Sequence, residues 1–203
     1  MEFNDIFGQI LCINLDRRID RWEKCVSEFE KNSLQVERIS AIEGVVIPGN
    51  KLNAGEVGCK ASHIKVLAIA AMSNKPTLIL EDDVEFEDEF KSKFMQVYEK
   101  IPTWDMLYLG GNHVLPPHAV NGKFGFSRVR KIYTTSSYIV TPSTAKRLLL
   151  FTQVRPFDQI DVAYAGVQGT MQCYAFTPPL AWQKIGFSDI QCGIVDYTKY
   201  MIK

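Results

Sequence analysis

The chain has 203 residues, a hydrophobic fraction of 46%, a charged fraction of 23% and a formal net charge of zero. These proportions are those of an ordinary globular protein, and without a basic excess we expect no nucleic-acid partner. No apolar run approaches the roughly 18 residues that a membrane span requires. The acidic, polar N-terminus lacks the basic start of a signal peptide. We therefore expect one domain over residues 1–203.

The five cysteines are an odd number and form no Cys-x-x-Cys pair. This pattern is typical neither of a zinc site nor of a disulfide framework. Cys12 and Cys173 lie in apolar runs and are most simply buried thiols. We expect a reducing, cytoplasmic location, while contact with a membrane surface and assembly into a homo-oligomer both stay open.

Apolar runs alternate with helical patterns along the chain. The first strand is predicted at residues 9–15, and a helix follows with Trp22, Cys25 and Phe29 at helical spacing. Further strands are predicted at residues 34–41, 77–80, 104–109, 129–133, 137–140 and 171–177. Further helices are predicted from 53 to about 73, from 88 to 100 and from 142 to 151, the last with Thr141 as N-cap. This alternation predicts an α/β fold with a mostly parallel central sheet flanked by helices.

Three consecutive carboxylates, Glu81, Asp82 and Asp83, close the apolar run at residues 77–80. A short apolar run bounded by turn signals is typical of a buried strand, and open α/β sheets bind ligands at the carboxyl ends of their strands. Adjacent carboxylates repel one another, and Mg²⁺ or Mn²⁺ relieves that repulsion because these ions prefer carboxylate oxygens. The alternative is a solvated acidic turn, since acids continue at residues 85–89.

Arginines crowd the junction between the first strand and its helix, at positions 17, 18 and 21. Arginine forks and helix starts both bind phosphates, and the alternative is pairing with local acids on a surface helix. His63 lies near the start of an apolar helix, where a hydrogen-bonded core histidine is the simpler interpretation. Ser62 has no base and orienting group evident around it, so a serine nucleophile is a poor interpretation.

Three other stretches carry weaker signals. Gly55 and Gly58 at a helix start predict close backbone approach, and the glycine pair at 110–111 predicts the same or a plain turn. Residues 113–125 hold prolines and glycines without periodicity, which indicates a mobile lid or acceptor-facing loop. Asp158 and Asp161 stand three positions apart, on one face if helical, unless Asp158 caps the helix.

Several motifs occur together in one order along the chain. They are Ile13-Asn14-Leu15 with Arg18, Asp20 and Arg21; Gly55-Glu56-Val57-Gly58-Cys59 with Ser62-His63; Leu80-Glu81-Asp82-Asp83; Ser137-Tyr138-Ile139-Val140 with Ala145 and Leu148-Leu149; and Gln183 with Ser188-Asp189-Ile190. In this combination the chain resembles glycosyltransferase family 25, which includes lipooligosaccharide galactosyltransferases and procollagen galactosyltransferase domains. The resemblance covers nearly the whole chain, and the second and third motifs together are fairly specific.

The resemblance implies a GT-A-like nucleotide-sugar-binding fold. It implies transfer of a hexose, galactose or glucose, from a UDP-sugar to a glycan, lipid-linked saccharide or protein hydroxyl, with inversion at the anomeric carbon. It also implies Mn²⁺ or Mg²⁺ at the acid motif, where Asp83 ligates the metal and Glu81 or Asp82 contacts the ribose or a metal-bound water. Asp189 completes the metal shell or contacts the donor.

Inversion needs a base that takes the proton from the acceptor hydroxyl. A carboxylate on another element is the natural candidate, and we expect Asp161 or Asp158, with Asp161 preferred. Further donor contacts are expected from Asn14, Arg18, Arg21 and His63.

Two other classes of protein stay open. A metal-dependent phosphoester hydrolase also places acids at strand ends, and it would act without a sugar nucleotide. A catalytically silent sugar-binding or assembly protein would keep the fold and ignore UDP and metal, because a fold does not by itself imply activity.

Overall fold

The computed structural model describes residues 2–115, 125–197 and 200. The helices are α1 (Ile19–Lys31), α2 (Ala54–Met72), α3 (Phe90–Tyr98), α4 (Pro142–Gln153) and α5 (Ile160–Ala165). The strands are β1 (Gln9–Asn14), β2 (Glu37–Ser40), β3 (Thr77–Glu81), β4 (Val84–Phe86), β5 (Met106–Tyr108), β6 (Asn112–Leu115), β7 (Gly125–Arg128), β8 (Lys131–Tyr133), β9 (Ser137–Val140), β10 (Cys173–Thr177), β11 (Ala181–Gln183), β12 (Gly186–Ser188) and β13 (Gly193–Val195).

Seven strands form the central sheet, in the order β2-β1-β3-β9-β5-β10-β7. The pairs β1–β2, β1–β3 and β5–β10 are parallel. Strand β9 is antiparallel to both of its neighbours, and β7 is antiparallel to β10. Five of the seven strands therefore run in one direction, and the predicted α/β fold with a mostly parallel sheet is confirmed.

The core lies on both faces of this sheet. Cys12 of β1 and Leu80 of β3 pack with α1 and α3 on one face, whereas Leu11 and Ile79 pack with α2 and α4 on the other. Successive residues of a strand point to opposite faces, so a strand buried on both faces is apolar throughout. The continuous apolar runs of β1 and β3 thus follow from helices covering both sides of the sheet.

Helix ends differ in how well the sequence predicted them. Thr141 caps α4, since its side-chain oxygen accepts a hydrogen bond from the Thr144 amide. Helix α3 begins after Glu89, which has a positive φ of 56°. The alternative in which Asp158 caps the helix is wrong, because Gln159 is the N-cap of α5. Asp158 therefore precedes the helix, and it does not share a helical face with Asp161.

After residue 177, where the sequence analysis predicts no further strand, the chain contains three short strands. Strand β11 pairs with β4 directly after the acid motif, and β12 pairs with β13. Three-residue strands are too short to show a period, so the sequence gives little sign of them. The predicted lid at 113–125 falls mainly on residues 116–124, which lie outside the described residues.

Close backbone approach at glycine is confirmed at two places. A Cβ on Gly58 of α2 would lie 2.5 Å from the Ile42 carbonyl oxygen and 2.6 Å from the Gly44 amide nitrogen. A Cβ on Gly110 would overlap the Ala181 carbonyl oxygen. These glycines let the loop after β2 and the start of β11 lie directly against their neighbours.

We predict that Gly58→Ala destabilises the fold although alanine is the better helix former. Helix propensity favours the change by about 1 kcal/mol, but the new methyl group meets backbone atoms that cannot rotate away. We expect a net loss of about 1–3 kcal/mol in the free energy of unfolding, measured by urea denaturation.

Gly169→Ala is the matched control, because a Cβ there would meet nothing within 4 Å. It should leave the free energy of unfolding unchanged or slightly raised. A Gly58→Ala protein as stable as the parent would contradict the close packing of α2 against the loop.

Candidate active site

The candidate site lies where β1 and β3 end side by side. Glu81 is the last residue of β3 and pairs with Ile13 of β1. The acid motif opens onto a cleft of about 330 Å³. Residues that line it include Arg17, Arg21, Gly55, Cys59, His63, Glu81, Asp82, Asp83, Gln183 and Asp189.

The three acids of the motif are mostly removed from solvent. Their side chains are 20%, 9% and 16% exposed at Glu81, Asp82 and Asp83. A solvated acidic turn would leave these side chains in water, so that alternative does not describe them. Carboxylates at this depth need compensating partners, and each of the three has them.

Glu81 is held by hydrogen bonds from two directions. Its Oε1 accepts a hydrogen bond from the Thr135 hydroxyl at 2.7 Å and lies 3.1 Å from His63 Nε2. Burial would raise the pKa of Glu81, but the contacts with His63 and Thr135 outweigh it and lower the pKa. His63 Nδ1 lies 2.9 Å from the Tyr138 hydroxyl, which lies 3.3 Å from that of Tyr164. His63 is therefore both a hydrogen-bonded core residue and a wall of the cleft.

Asp82 and Asp83 share one guanidinium. Nη2 of Arg21 lies 2.8 Å from Asp82 Oδ1 and also contacts Asp83 Oδ2. Gln183 donates a second hydrogen bond to Asp83 Oδ2 at 2.9 Å. Burial raises the pKa of both carboxyls against the opposing charge of Arg21, and it raises the pKa of Asp83 to about 7.

The other oxygen of Asp83 suits a divalent cation. Oδ1 is buried and has no hydrogen-bond partner within the described part of the chain. A buried carboxylate oxygen left unpaired is costly, and hard divalent ions bind such oxygens. Asp83 thus fits the predicted Mn²⁺ or Mg²⁺ ligand.

Asn14 lies behind the acids and not in the cleft. It is 1% exposed, and its Nδ2 donates to Asp82 Oδ2 at 2.7 Å. Its Oδ1 accepts hydrogen bonds from Arg38 Nε at 2.8 Å and Nη2 at 2.7 Å. In this arrangement Asn14, a predicted donor contact, orients Asp82, and Arg38 orients Asn14.

Asp189 contacts the arginines of the β1–α1 junction at the mouth of the cleft. Its carboxylate accepts hydrogen bonds from Arg17, at 2.8 Å, and from Arg18, and its Oδ2 lies 3.7 Å from Arg21 Nη1. Three arginines around one carboxylate repel a cation, so this arrangement favours the donor-side role of Asp189 over the metal-ligand role.

Pairing of these arginines with local acids also occurs, as the alternative interpretation expected. Arg18 Nε lies 2.9 Å from Asp20, and Arg17 Nε lies 3.0 Å from Glu43. Both partner acids are more than half exposed, so these contacts contribute little energy. Arg17 lines the cleft, whereas Arg18 borders a smaller adjacent cavity of about 110 Å³.

The structure places the two candidate bases, Asp161 and Asp158, in different surroundings. Asp161 borders a second cavity of about 550 Å³, which shares Glu81 with the first. Its Oδ2 accepts a hydrogen bond from the Thr134 amide at 3.3 Å, and burial raises the pKa of Asp161. Asp158 borders neither cavity, and its carboxylate lies 3.3 Å from Arg155.

The family profile described as Glycosyltransferase family 25 (LPS biosynthesis protein) matches residues 7–163. The chain belongs to glycosyltransferase family 25. This match contains the acid motif, the arginines and Asp161, so the residues of the cleft fall within the family region, except for Gln183 and the tail around Asp189. The predicted family membership is confirmed.

Family 25 relatives include both transferases and inactive proteins. The chain is 26% identical over 184 residues to procollagen galactosyltransferase 2 of Homo sapiens, covering 75% of this chain and 29% of that protein. It is 30% identical over 168 residues to a glycosyltransferase 25 family member of Aedes aegypti, covering 70% and 28%. It is 26% identical over 182 residues to inactive glycosyltransferase 25 family member 3 of Homo sapiens, covering 76% and 31%. The matched region is thus less than a third of these relatives.

Among solved structures, the crystal structure of a glycosyltransferase involved in the glycosylation of the major capsid of PBCV-1 covers 78% of this chain and 73% of its own, with a TM-score of 0.42 and 11% identity. None of the helices in the described ranges is both long and apolar enough to cross a membrane.

Sequence reasoning missed several residues of this family 25 site. Thr135 and Arg38 carry no motif, and they reach Glu81 and Asn14, respectively, only through tertiary folding. Gln183 was part of the tail motif but had no assigned role, and it lies on β11, which the sequence did not predict.

We predict that Arg21→Gln destabilises this family 25 fold. The substitution removes the guanidinium shared by Asp82 and Asp83 and leaves two mostly buried carboxylates with less compensation. Breaking a buried ion pair costs about 3–5 kcal/mol, and partial exposure places the expected loss near the lower value. Urea denaturation at neutral pH measures it.

Lys31→Ala is the control, because Lys31 and its partner Asp88 are both exposed. It should leave the free energy of unfolding unchanged. Equal stability of the Arg21→Gln and Lys31→Ala proteins would show that Arg21 does not compensate the acids.

Proposed function

We propose that this chain is a metal-dependent, inverting hexosyltransferase that moves galactose or glucose from a UDP-sugar to a hydroxyl of a glycan, lipid-linked saccharide or protein. The observation that carries the proposal is the buried Asp83 oxygen, which has no hydrogen-bond partner among the described residues, in an acid motif that faces a cleft lined by arginines. The name of the human relative, procollagen galactosyltransferase 2, favours galactose.

The donor end of the cleft is suited to a diphosphate. Arg17 and Arg21 line it, at the junction where β1 leads into α1, and guanidinium forks match phosphate geometry. Asp83 would hold the divalent ion through its free oxygen, while Glu81 and Asp82 stay fixed by their own partners. When bound, the ion supplies positive charge that stabilises the nucleoside diphosphate as it leaves.

The acceptor end is suited to proton removal. Asp161 borders the second cavity, and the two cavities meet at Glu81. A sugar bound at their junction would have the diphosphate on one side and Asp161 on the other, as inversion requires. Burial raises the pKa of Asp161, which makes its carboxylate a stronger base than an exposed aspartate. The Thr134 amide holds that carboxylate in place.

A catalytically silent protein is the second candidate. Proteins named inactive family 25 members match this chain about as well as the galactosyltransferase does, at 26% identity in each case. The residues that would separate the two functions are those that bind the metal and accept the proton, so replacing them one at a time distinguishes an active transferase from a silent protein.

Asp83→Asn tests the metal ligand. We predict that the variant loses metal-dependent donor binding and keeps its fold, because an amide oxygen carries no charge to hold the ion. Calorimetric titration with UDP and a UDP-hexose in Mn²⁺ measures the binding, and thermal unfolding measures the fold.

Asp88→Asn is the matched control, since Asp88 belongs to the same acidic stretch but is 83% exposed. It should bind donor like the parent chain. Unchanged donor binding in Asp83→Asn would show that Asp83 is not a metal ligand.

Asp161→Asn tests the base. We predict that donor binding is kept while transfer falls by about 10²–10⁴-fold, the usual contribution of a positioned general base. Release of UDP from the UDP-hexose, measured with a panel of glycan, lipid-linked saccharide and hydroxyl-bearing peptide acceptors, reports the transfer rate.

Asp158→Asn is the comparison for this prediction, because Asp158 lies outside both cavities and was the other candidate base. It should transfer at close to the parent rate. If Asp158→Asn lost transfer and Asp161→Asn kept it, the assignment of Asp161 would be wrong.

A further inference from the structure

A second group of metal-binding side chains lies beside the acid motif. It consists of Cys59, His63 and Glu81, whose donor atoms all lie within 4.8 Å of one another. Cys59 and His63 stand four residues apart on α2, which places them on one helix face, and Glu81 ends β3 opposite them. The thiol of Cys59 has no part in the proposed transfer.

We propose that Cys59, His63 and Glu81 form a binding site for a zinc-type divalent ion, separate from the oxygen site at Asp83. Thiolate and imidazole ligands select ions such as Zn²⁺, whereas carboxylate oxygens alone suit Mg²⁺ and Mn²⁺. The sequence pointed away from zinc because the chain has no Cys-x-x-Cys pair; a single cysteine and histidine from a helix, joined by a strand-end glutamate, leave no such signature.

The distances fit a tetrahedral ion after a small adjustment. With zinc–nitrogen and zinc–oxygen bonds of about 2.0 Å, two ligand atoms of a tetrahedral site lie about 3.3 Å apart. His63 Nε2 and Glu81 Oε1 are already 3.1 Å apart. The sulfur of Cys59, at no more than 4.8 Å, needs a movement on the order of 1 Å to reach the corresponding position.

The surroundings of His63 orient its Nε2 toward this position. If Nδ1 donates to the Tyr138 hydroxyl, 2.9 Å away, the lone pair of Nε2 faces Glu81. Two lone pairs 3.1 Å apart repel one another unless a proton or a cation lies between them. A histidine whose second nitrogen donates to a neighbour is the usual form of a zinc ligand, and zinc would take the place of that proton.

The proposed zinc site is open to the cavities on one side and lies among negatively charged side chains. Cys59 and Glu81 border both cavities, so a bound ion would have three protein ligands and one open position, as in zinc sites that bind water or substrate. The carboxylates of Glu81 and Asp161 interact electrostatically with the Cys59 side chain. The same negative charges attract a divalent cation.

Zinc bound at Cys59, His63 and Glu81 would affect the transfer reaction, because Glu81 also faces the donor cleft. Zinc is expected to compete with the UDP-sugar, and this consequence rests on the proposed function. Binding of the ion does not rest on it, so the primary test uses the metal alone.

Cobalt titration followed by absorption spectroscopy is the primary test. With Mn²⁺ present to fill the oxygen site, Co²⁺ should produce a thiolate-to-cobalt charge-transfer band that saturates at one ion per chain and disappears when Zn²⁺ is added. The band should be absent in Cys59→Ser. It should persist in Cys192→Ser, the control at an exposed cysteine, and in Asp83→Asn, which lacks only the oxygen site.

Two further measurements keep the test decisive if Cys59→Ser folds poorly. In the parent chain, Zn²⁺ should protect Cys59 but not Cys192 from alkylation, as read by peptide mass spectrometry. Tyr138→Phe, which removes the hydroxyl that orients His63, should weaken Co²⁺ binding by about tenfold. A band that survives in Cys59→Ser, or alkylation of Cys59 that Zn²⁺ does not slow, would overturn the site. Cobalt binding without UDP binding would support this metal site and contradict the proposed transferase function.

Discussion

The arrangement of the cleft depends on how three consecutive carboxylates are kept out of water at the end of β3. Arg21 lies between Asp82 and Asp83 and offers one guanidinium nitrogen to both. It reaches this position from the first turn of α1, so helix, strand and acid motif are fixed to one another by charge. Glu81 lies outside this ion pair and depends on hydrogen bonds from the opposite side of the sheet.

Backbone packing sets the shape around these charges. The glycines of α2 allow the helix to lie directly against the loop after β2 and against Ile190, and the second contact places Asp189 beside the arginines at the mouth of the cleft. Gly110 has a similar effect on β11, which carries Gln183 to Asp83. Close packing at these glycines therefore brings Asp189 and Gln183, which lie far from β3 in the sequence, to the cleft beside the acid motif.

The sequence predicted the parts of this site that lie on long apolar elements. Strands β1 and β3, helix α2 and the acids that follow β3 all carry local signals, because burial on both faces imposes a continuous apolar run. Two residues that support the acid motif carry no local signal, because Thr135 reaches Glu81, and Arg38 reaches Asn14 behind Asp82, only through tertiary contacts. Asp161 could be proposed as a base from its chemistry. The different surroundings of Asp161 and Asp158 could not be predicted, because they depend on where α5 begins.

We propose that Asp83 and the arginines form a metal-dependent site for a nucleoside diphosphate. Calorimetric titration of the parent chain with UDP, GDP and CMP, first in Mn²⁺ and then with a chelator, is the first measurement to make. We expect UDP to bind in Mn²⁺, CMP to bind more weakly because it lacks the second phosphate, and the chelator to abolish binding. Absence of nucleotide binding in every metal condition would contradict it and favour a catalytically silent member of the family.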